Sequence, residues 1–190
     1  MLEPLLARRI HVVAFNVDGV MTDGGIYFGA FNGEPVEMKR FSVQDGLGVL
    51  ILRNVGVKVV ALSGRQSEAT RLRMTALNVD EVIEDAKART LPAFEGALIR
   101  LGSRMEDVAY IGYDLADLPM LRRVGVPVAV PNAVPEVRAA ARIVTTTAGG
   151  GGAVREFAET LLRARGEWEP AVQDYLAERG DPASRHSRVR

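Results

Sequence analysis

Asn16 and Asp18 follow a short apolar run and stand two residues apart, a spacing that puts both side chains on the same side of extended backbone. Ser63, Gly64 and Arg65 follow a second such run and come just before a helical period, where free backbone N–H groups and the helix dipole favour an anion such as phosphate. Gly112, Tyr113, Asp114 and Asp117 follow a third run. Carboxylates facing an anion cradle suggest a divalent cation between them, because Mg²⁺ commonly takes one or two carboxylates together with phosphate oxygens. The composition narrows the alternatives. With no Cys and two well-separated His, the chain has no disulfide framework, no thiolate nucleophile and no Cys-containing zinc site, so acid–base or metal chemistry must rest on carboxylates.

The elements that would position these groups are legible as an alternation. Residues 10–15, 57–62, 108–111, 126–130 and 143–145 read as strands, and the first four are nearly continuous apolar runs, as strands buried on both faces should be. Residues 47–53, 66–77, 91–101, 115–124 and 135–141 carry apolar side chains at helical spacing, several introduced by Ser, Asp or Pro. The pattern predicts an α/β fold, a parallel sheet with helices on both faces, whose ligands bind beyond the carboxyl ends of the strands. Residues 24–41 break the rhythm: two alternating runs flank a Phe31-Asn32-Gly33-Glu34 turn signal, which predicts a β-hairpin. Too small to fold alone, that hairpin must pack its apolar residues Ile26, Phe28, Val36, Met38 and Phe41 on the rest of the chain or on a partner. Residues 149–152 read as a glycine segment opening a last helix, with a flexible linker or intersubunit arm the favoured role. Residues 1–165 are expected to form one domain. Residues 166–190 form an extension: a short helix over 168–176, then a tail over 179–190 with four Arg against one Asp, expected to be disordered.

Twenty-four basic residues balance twenty-four acidic ones, so the 190-residue chain as a whole has no pull toward nucleic acid or anionic membrane. No apolar run approaches the roughly 18 residues of a membrane span, and Arg8, Arg9 and His11 interrupt the N-terminal apolar residues; a cytoplasmic setting is expected.

At these residues the sequence resembles a known group. Phe15-Asn-Val-Asp-Gly-Val-Met-Thr-Asp-Gly is similar to the first signature of the haloacid dehalogenase superfamily, Leu62-Ser-Gly-Arg to its second, and Gly112-Tyr-Asp-Leu-Ala-Asp-Leu-Pro to its last. Val43-Gln-Asp-Gly-Leu-Gly and Gly149-Gly-Gly-Gly-Ala-Val-Arg-Glu resemble the 3-deoxy-D-manno-octulosonate 8-phosphate phosphatases more narrowly. The resemblance spans roughly residues 8–163, and its motifs in this order are specific where any one alone is weak. It implies a three-layer Rossmann-like fold without a large cap domain. The short hairpin would pack between subunits of a homotetramer, the glycine-rich segment would reach a neighbouring site, and Mg²⁺ would be the cofactor.

The same resemblance makes three departures conspicuous. Family phosphatases attack phosphorus with the first carboxylate of an Asp-x-Asp pair, while the second Asp acts as general acid and base. Here the nucleophile position holds Asn16, a poor nucleophile without charge, and Asp18 is the surviving acid–base candidate. The metal positions implied are Asn16, Asp18, Tyr113, Asp114 and Asp117, with Tyr113 replacing a direct carboxylate ligand by a phenol that stays neutral at pH 7. The phosphate positions implied are Ser63, Gly64, Arg65, Thr90 and Arg89, with Thr90 where the family carries Lys and Lys87 nearby. Losing two anionic groups and one cation dismantles the Mg²⁺ and phosphate machinery from both sides.

Local structural roles stand beside these readings: Asp18 holding its own loop, Ser63 as a helix cap, Asp114 and Asp117 as caps of the helix near Leu115. The expectation is an oligomeric sugar-phosphate-binding or scaffold protein with impaired catalysis. The alternatives are an active Mg²⁺-dependent phosphatase for an acidic eight- or nine-carbon sugar phosphate, with Asp18, Asp114 and Asp117 recruiting the metal, and a pure protein–protein interaction module.

Overall fold

The computed structural model describes residues 2–85 and 90–184. In chain order the elements are α1 (Pro4–Arg9), β1 (Val12–Asn16), β2 (Tyr27–Phe31), β3 (Glu34–Met38), α2 (Val43–Asn54), β4 (Lys58–Ser63), α3 (Glu68–Ala76), β5 (Glu81–Glu84), α4 (Thr90–Arg100), β6 (Val108–Gly112), α5 (Leu118–Leu121), β7 (Val126–Ala129), α6 (Pro135–Ala140), β8 (Ile143–Val144), α7 (Ala153–Arg165) and α8 (Trp168–Glu178). Six strands form one parallel sheet in the order β5-β4-β1-β6-β7-β8. The chain starts at the centre, steps outward one way through β4 and β5, then returns to the other side of β1 for β6, β7 and β8. This doubly wound order opens a crevice at the carboxyl ends of β1 and β6, where the direction reverses.

The central strands explain their own burial. The apolar residues of β1, β4 and β6 are almost wholly buried, which an alternating strand with one wet face could not be. Helix α7 lays Val154, Phe157, Ala158, Leu161 and Leu162 into the core and packs on α2. Gly48 permits that approach, since a Cβ there would come within 2.8 Å of the Arg155 Cα.

The hairpin forms as the Asn-Gly signal predicts: β2 and β3 pair antiparallel from Tyr27 with Met38 to Phe31 with Glu34, and Asn32 and Gly33 both take positive φ, 52° and 84°. Its strands leave the body of the protein, and Tyr27, Phe28, Phe31 and Met38 are exposed.

Three features differ from the sequence reading. The short edge strand β5 escapes a period-based reading because four residues with acidic ends show neither a buried run nor clean alternation. The period over 115–124 becomes a 3₁₀ turn at residues 115–117 followed by the one-turn helix α5, with Pro119 inside its first turn. The glycine segment is seated on its own chain and is no free linker. Gly149 N donates to Asn132 Oδ1 at 2.9 Å and Gly150 N to the Val20 carbonyl at 2.9 Å. A Cβ at Gly149 would lie 1.8 Å from the Gly19 carbonyl oxygen, so only glycine lets the backbone come so close. The C-terminal helix appears as α8, and residues 185–190 lie outside the described residues.

Candidate functional site

Strand β1 delivers Asn16 to the crevice, and the chain then makes a wide turn over residues 17–21, in which Gly19 takes φ 89°. Thr22, fully buried, closes this loop by accepting from Gly19 N and Gly24 N at 3.2 Å each. The Asn16 side chain is used at both ends. Its Oδ1 accepts from Asp18 N at 3.2 Å, and its Nδ2 lies 3.1 and 3.0 Å from the two carboxylate oxygens of Asp117.

Asp117 is the most heavily hydrogen-bonded group of the site. Besides Asn16 it accepts from the Tyr110 hydroxyl at 2.6 Å, from Tyr113 N at 2.7 Å and from Asp114 N at 3.0 Å, and it is buried. A carboxylate has about four lone-pair positions, and these donors take them all. Burial, followed by the Asp117 charge, pushes the Tyr110 phenol well above its ordinary value, so it stays a donor. Asp114 caps the 3₁₀ turn, its carboxylate accepting from Leu115 N at 2.7 Å. The local roles foreseen for Asp114 and Asp117 are therefore the ones they fill.

Tyr113 points its ring at the wide turn. A Cβ on Gly19 would meet the ring at 2.2 Å and one on Gly24 would meet the hydroxyl at 3.3 Å, so the phenol occupies space that two glycines leave free.

The Asp18 carboxylate does not bond its own loop. Its Oδ1 accepts from Lys39 Nζ at 2.7 Å, and its Oδ2 lies 3.3 Å from the Ser63 hydroxyl. The Lys39 side chain is fully buried, donates also to Thr70 Oγ1 at 3.1 Å, and stands 3.7 Å from Glu37. Glu37 in turn accepts from Ser67 Oγ at 2.6 Å and from the Arg65 guanidinium at 2.9 Å. The Ser67 hydrogen bond, helped by Arg65 and Lys39, holds its carboxyl below the usual range. The end of the hairpin is thus bonded to the loop that follows β4. Ser63 turns that loop, accepting from Arg65 N at 3.1 Å, while Ser67 rather than Ser63 caps α3. Space beside Gly64 is open, which leaves the loop reachable from solvent.

Between the strand ends a cavity of about 30 Å³ is lined by Asn16, Ser63, Gly64, Thr90, Tyr110 and Asp117 among others, room for a water molecule or two. Thr90 closes one wall, its hydroxyl 3.8 Å from Met120 Sδ. Arg89 and Lys87 lie outside the described residues. The structure therefore gathers Asn16, Asp18, Ser63, Thr90, Tyr113, Asp114 and Asp117 at one crevice, and adds Lys39, Glu37 and Tyr110, which sequence spacing did not single out.

A Mg²⁺ ion needs anionic or carbonyl oxygens free to face it. Here the Asn16 amide is engaged at both ends, Asp117 is saturated, Tyr113 packs as a ring, and Asp18 is paired with an ammonium. Among the described residues no group of three or more His, Cys, Asp or Glu is arranged to hold a metal ion. The donor set does not fit a divalent cation of this kind.

A doubly wound parallel sheet with a two-step signature after β1, an anion-type loop after β4 and an acidic turn after β6 defines a haloacid dehalogenase-like protein. The family described as haloacid dehalogenase-like hydrolase matches residues 86–157. The 3-deoxy-D-manno-octulosonate 8-phosphate phosphatase KdsC of Escherichia coli K12 is 38% identical over 165 residues, covering 87% of this chain and 86% of that protein. The Moraxella catarrhalis 3-deoxy-D-manno-octulosonate 8-phosphate phosphatase, solved with magnesium, phosphate and KDO, superposes with a TM-score of 0.83 at 35% identity, covering 90% of this chain and 97% of that one. A cobalt-bound Haemophilus influenzae relative gives 0.78 at 37% identity, covering 85% and 92%. The chain belongs to the 3-deoxy-D-manno-octulosonate 8-phosphate phosphatase family of haloacid dehalogenase-like proteins. No helix among the described residues is long and apolar enough to cross a membrane.

Proposed function

We propose that this protein is a non-hydrolytic member of its family, an oligomeric binder of an acidic sugar phosphate or a scaffold built on that fold. The observation that carries this reading is the Asn16 side chain. At the position from which a carboxylate would attack phosphorus stands an amide whose nitrogen donates to Asp117 and whose oxygen accepts from Asp18 N. An amide oxygen is a weak nucleophile, and an Nδ2 committed to Asp117 fixes the side chain in place.

What this chain's residues retain is a reachable loop. Ser63, Gly64 and Arg65 keep the turn that precedes α3, and the open space beside Gly64 admits a phosphoryl group at the cavity mouth, the interior being too small for one. The relative solved with magnesium, phosphate and KDO supports an acidic sugar phosphate as the ligand class. The exposed Tyr27, Phe28, Phe31 and Met38 support assembly through the hairpin, since an apolar patch on a small element is a characteristic contact surface.

The test is direct. Purified protein with Mg²⁺ should release no phosphate from 3-deoxy-D-manno-octulosonate 8-phosphate or from an aryl phosphate, while the octulosonate ester raises the unfolding midpoint. Turnover abolished by Asp18→Ala would instead establish the working phosphatase. Absence of both turnover and stabilisation would leave the scaffold role.

A further inference from the structure

We propose that Asp45 is a positioning residue for the crevice: its carboxylate, set into the start of α7, holds the glycine segment against the wide turn after β1, and the hold tightens when the carboxylate takes up a proton. This role is independent of which ligand the crevice takes.

Asp45 lies in the first turn of α2 and is fully buried. Its Oδ1 accepts from Arg155 N at 3.0 Å, and the N–H groups of Val154 and Gly152 also favour its charge. A helix leaves its first N–H groups without partners of its own, and Gly152 at the cap position of α7 has no side chain to supply one. A carboxylate from the neighbouring helix does so instead, at the end of the helix where negative charge is favoured.

What Asp45 grips is continuous with the glycine segment. Gly149 N donates to Asn132 Oδ1 and Gly150 N to the Val20 carbonyl, each at 2.9 Å. The segment presses closely on the turn: a Cβ at Gly150 would lie 2.4 Å from Asp23 N, and one at Gly149 1.8 Å from the Gly19 carbonyl oxygen. From the hairpin side, Arg40 adds a 3.3 Å hydrogen bond to the Gly150 carbonyl. A contiguous set of contacts thus runs from Asp45 through the start of α7 and residues 149–152 to the turn that carries Asp18 and Gly19.

The sign of the proton effect follows from the surroundings of the carboxylate. Among the described residues Oδ2 has no partner, and Arg73 of α3 is the cation that favours its charge. The Arg73 guanidinium donates to the Ser42 carbonyl at 3.2 Å. On α7, Arg155 is turned to Glu159 at 2.8 Å, and Glu156 accepts from Thr146 N and Thr147 N at 2.8 and 2.7 Å. Asp174 and Glu178 of α8 lie by the other end of α2, beside Asn54 and Val55. Burial therefore outweighs the hydrogen bonds and raises the Asp45 pKa from 3.8 to about 6. Opening the contact would return the group to water and to its ordinary pKa. The closed form binds the proton more tightly, so closure strengthens as the pH falls through 6 and is weakest above it.

Native-state amide exchange of the intact protein at pH 5 and pH 7, each corrected for the intrinsic exchange rate, tests this. A carboxyl with a pKa near 6 when closed and near 4 when open makes opening about tenfold more favourable at pH 7 than at pH 5. The protection of the Arg155 and Gly150 amides should fall by that factor, and that of Gly19, whose amide bonds Thr22 inside the turn, should fall with them. In Asp45→Asn the difference between the two pH values should vanish. Equal protection at both pH values in the wild-type protein overturns the proposal, as does a tenfold loss that persists in Asp45→Asn. A Gly150 amide that stays level while Arg155 loses protection also overturns it, since the glycine segment would then be held without Asp45. Two of these outcomes are read on the wild-type protein alone and need no variant to fold.

Discussion

The side-chain nitrogen of Asn16 lies within hydrogen-bond distance of both carboxylate oxygens of Asp117, at 3.1 and 3.0 Å, and so ties the end of β1 to the turn after β6 across the crevice between them. A carboxylate at position 16 would make this contact repulsive: Asp117 would lose a donor and gain a like charge about 3 Å away.

Asn16→Asp alone should therefore destabilise the protein. Losing a hydrogen bond to a buried charge and creating a close carboxylate pair should cost about 2–4 kcal/mol at pH 7. Urea unfolding of both proteins at pH 7 measures it; an unchanged midpoint would show that Asp117 finds another donor.

The contact of Tyr113 with Gly19 predicts a coupled pair. Gly19→Ala meets both a φ of 89° and a ring 2.2 Å from the new Cβ, and should cost more than about 2 kcal/mol. In a Tyr113→Ala background only the backbone strain remains, so the same substitution should cost distinctly less, with a coupling of about 1 kcal/mol or more in a double-mutant cycle. Strict additivity would mean that the ring moves away freely.

Asp45 supplies a pH dependence of opposite sign to that of ordinary paired carboxylates. Fully buried on α2, it accepts from Arg155 N at 3.0 Å at the start of α7, leaves its Oδ2 without a partner, and burial raises its pKa from 3.8 to about 6 despite Arg73 nearby. A folded-state pKa above the unfolded value means that the native state binds the proton more tightly. The destabilisation is full above pH 6 and is relieved as the pH falls through 6 toward 4. Relative to Asp45→Asn, the wild-type protein should gain roughly 2 kcal/mol on going from pH 7 to pH 4.5. Parallel stability curves for the two proteins would show that Asp45 titrates normally.

The sequence exposed the strand ends because strands buried on both faces read as unbroken apolar runs, and the residues after them, Asn16, Ser63, Tyr113 and Asp114, do line one crevice. The partners of those residues were beyond its reach. Lys39 reaches Asp18 across 21 residues only because the hairpin leaves and re-enters the body in a particular direction. Tyr110 lies inside the apolar run of β6, and nothing in that run marks it as the residue whose hydroxyl donates to Asp117. The free-linker reading of the glycine segment failed for a similar reason: four glycines fit a flexible linker as well as they fit a backbone pressed against Gly19, and only tertiary contact separates the two.

The exposed hairpin should hold an oligomer together. Phe28 is 74% and Phe31 71% exposed on one chain, a load of apolar surface that a monomer of this size rarely carries on so small an element. Light scattering at micromolar protein should give the mass of a tetramer, and Phe28→Ser with Phe31→Ser should shift it to smaller species without loss of helical signal. A monomeric wild-type protein would remove the intersubunit role from the hairpin.

If the scaffold is otherwise that of its relatives, catalysis should be recoverable by restoring charge where the crevice has lost it. Removing a nucleophile that works as part of a unit has cost another enzyme class on the order of 10⁶ in rate, and here the neighbouring charges are missing as well. Single substitutions should therefore stay at background: Asn16→Asp leaves Tyr113 against Gly19, Tyr113→Asp leaves an amide at position 16, and Thr90→Lys adds a cation without its anionic partners. Together, Asn16→Asp, Tyr113→Asp and Thr90→Lys supply two anionic oxygen donors and an ammonium around the cavity. The triple variant should turn over 3-deoxy-D-manno-octulosonate 8-phosphate with Mg²⁺ at least about tenfold above the wild-type background, and Asp18→Ala should abolish the gain. A triple variant that folds, as judged by its unfolding transition, yet stays inactive would place the loss beyond these three positions, in the shape of a cavity that Thr90 and Met120 have closed to about 30 Å³.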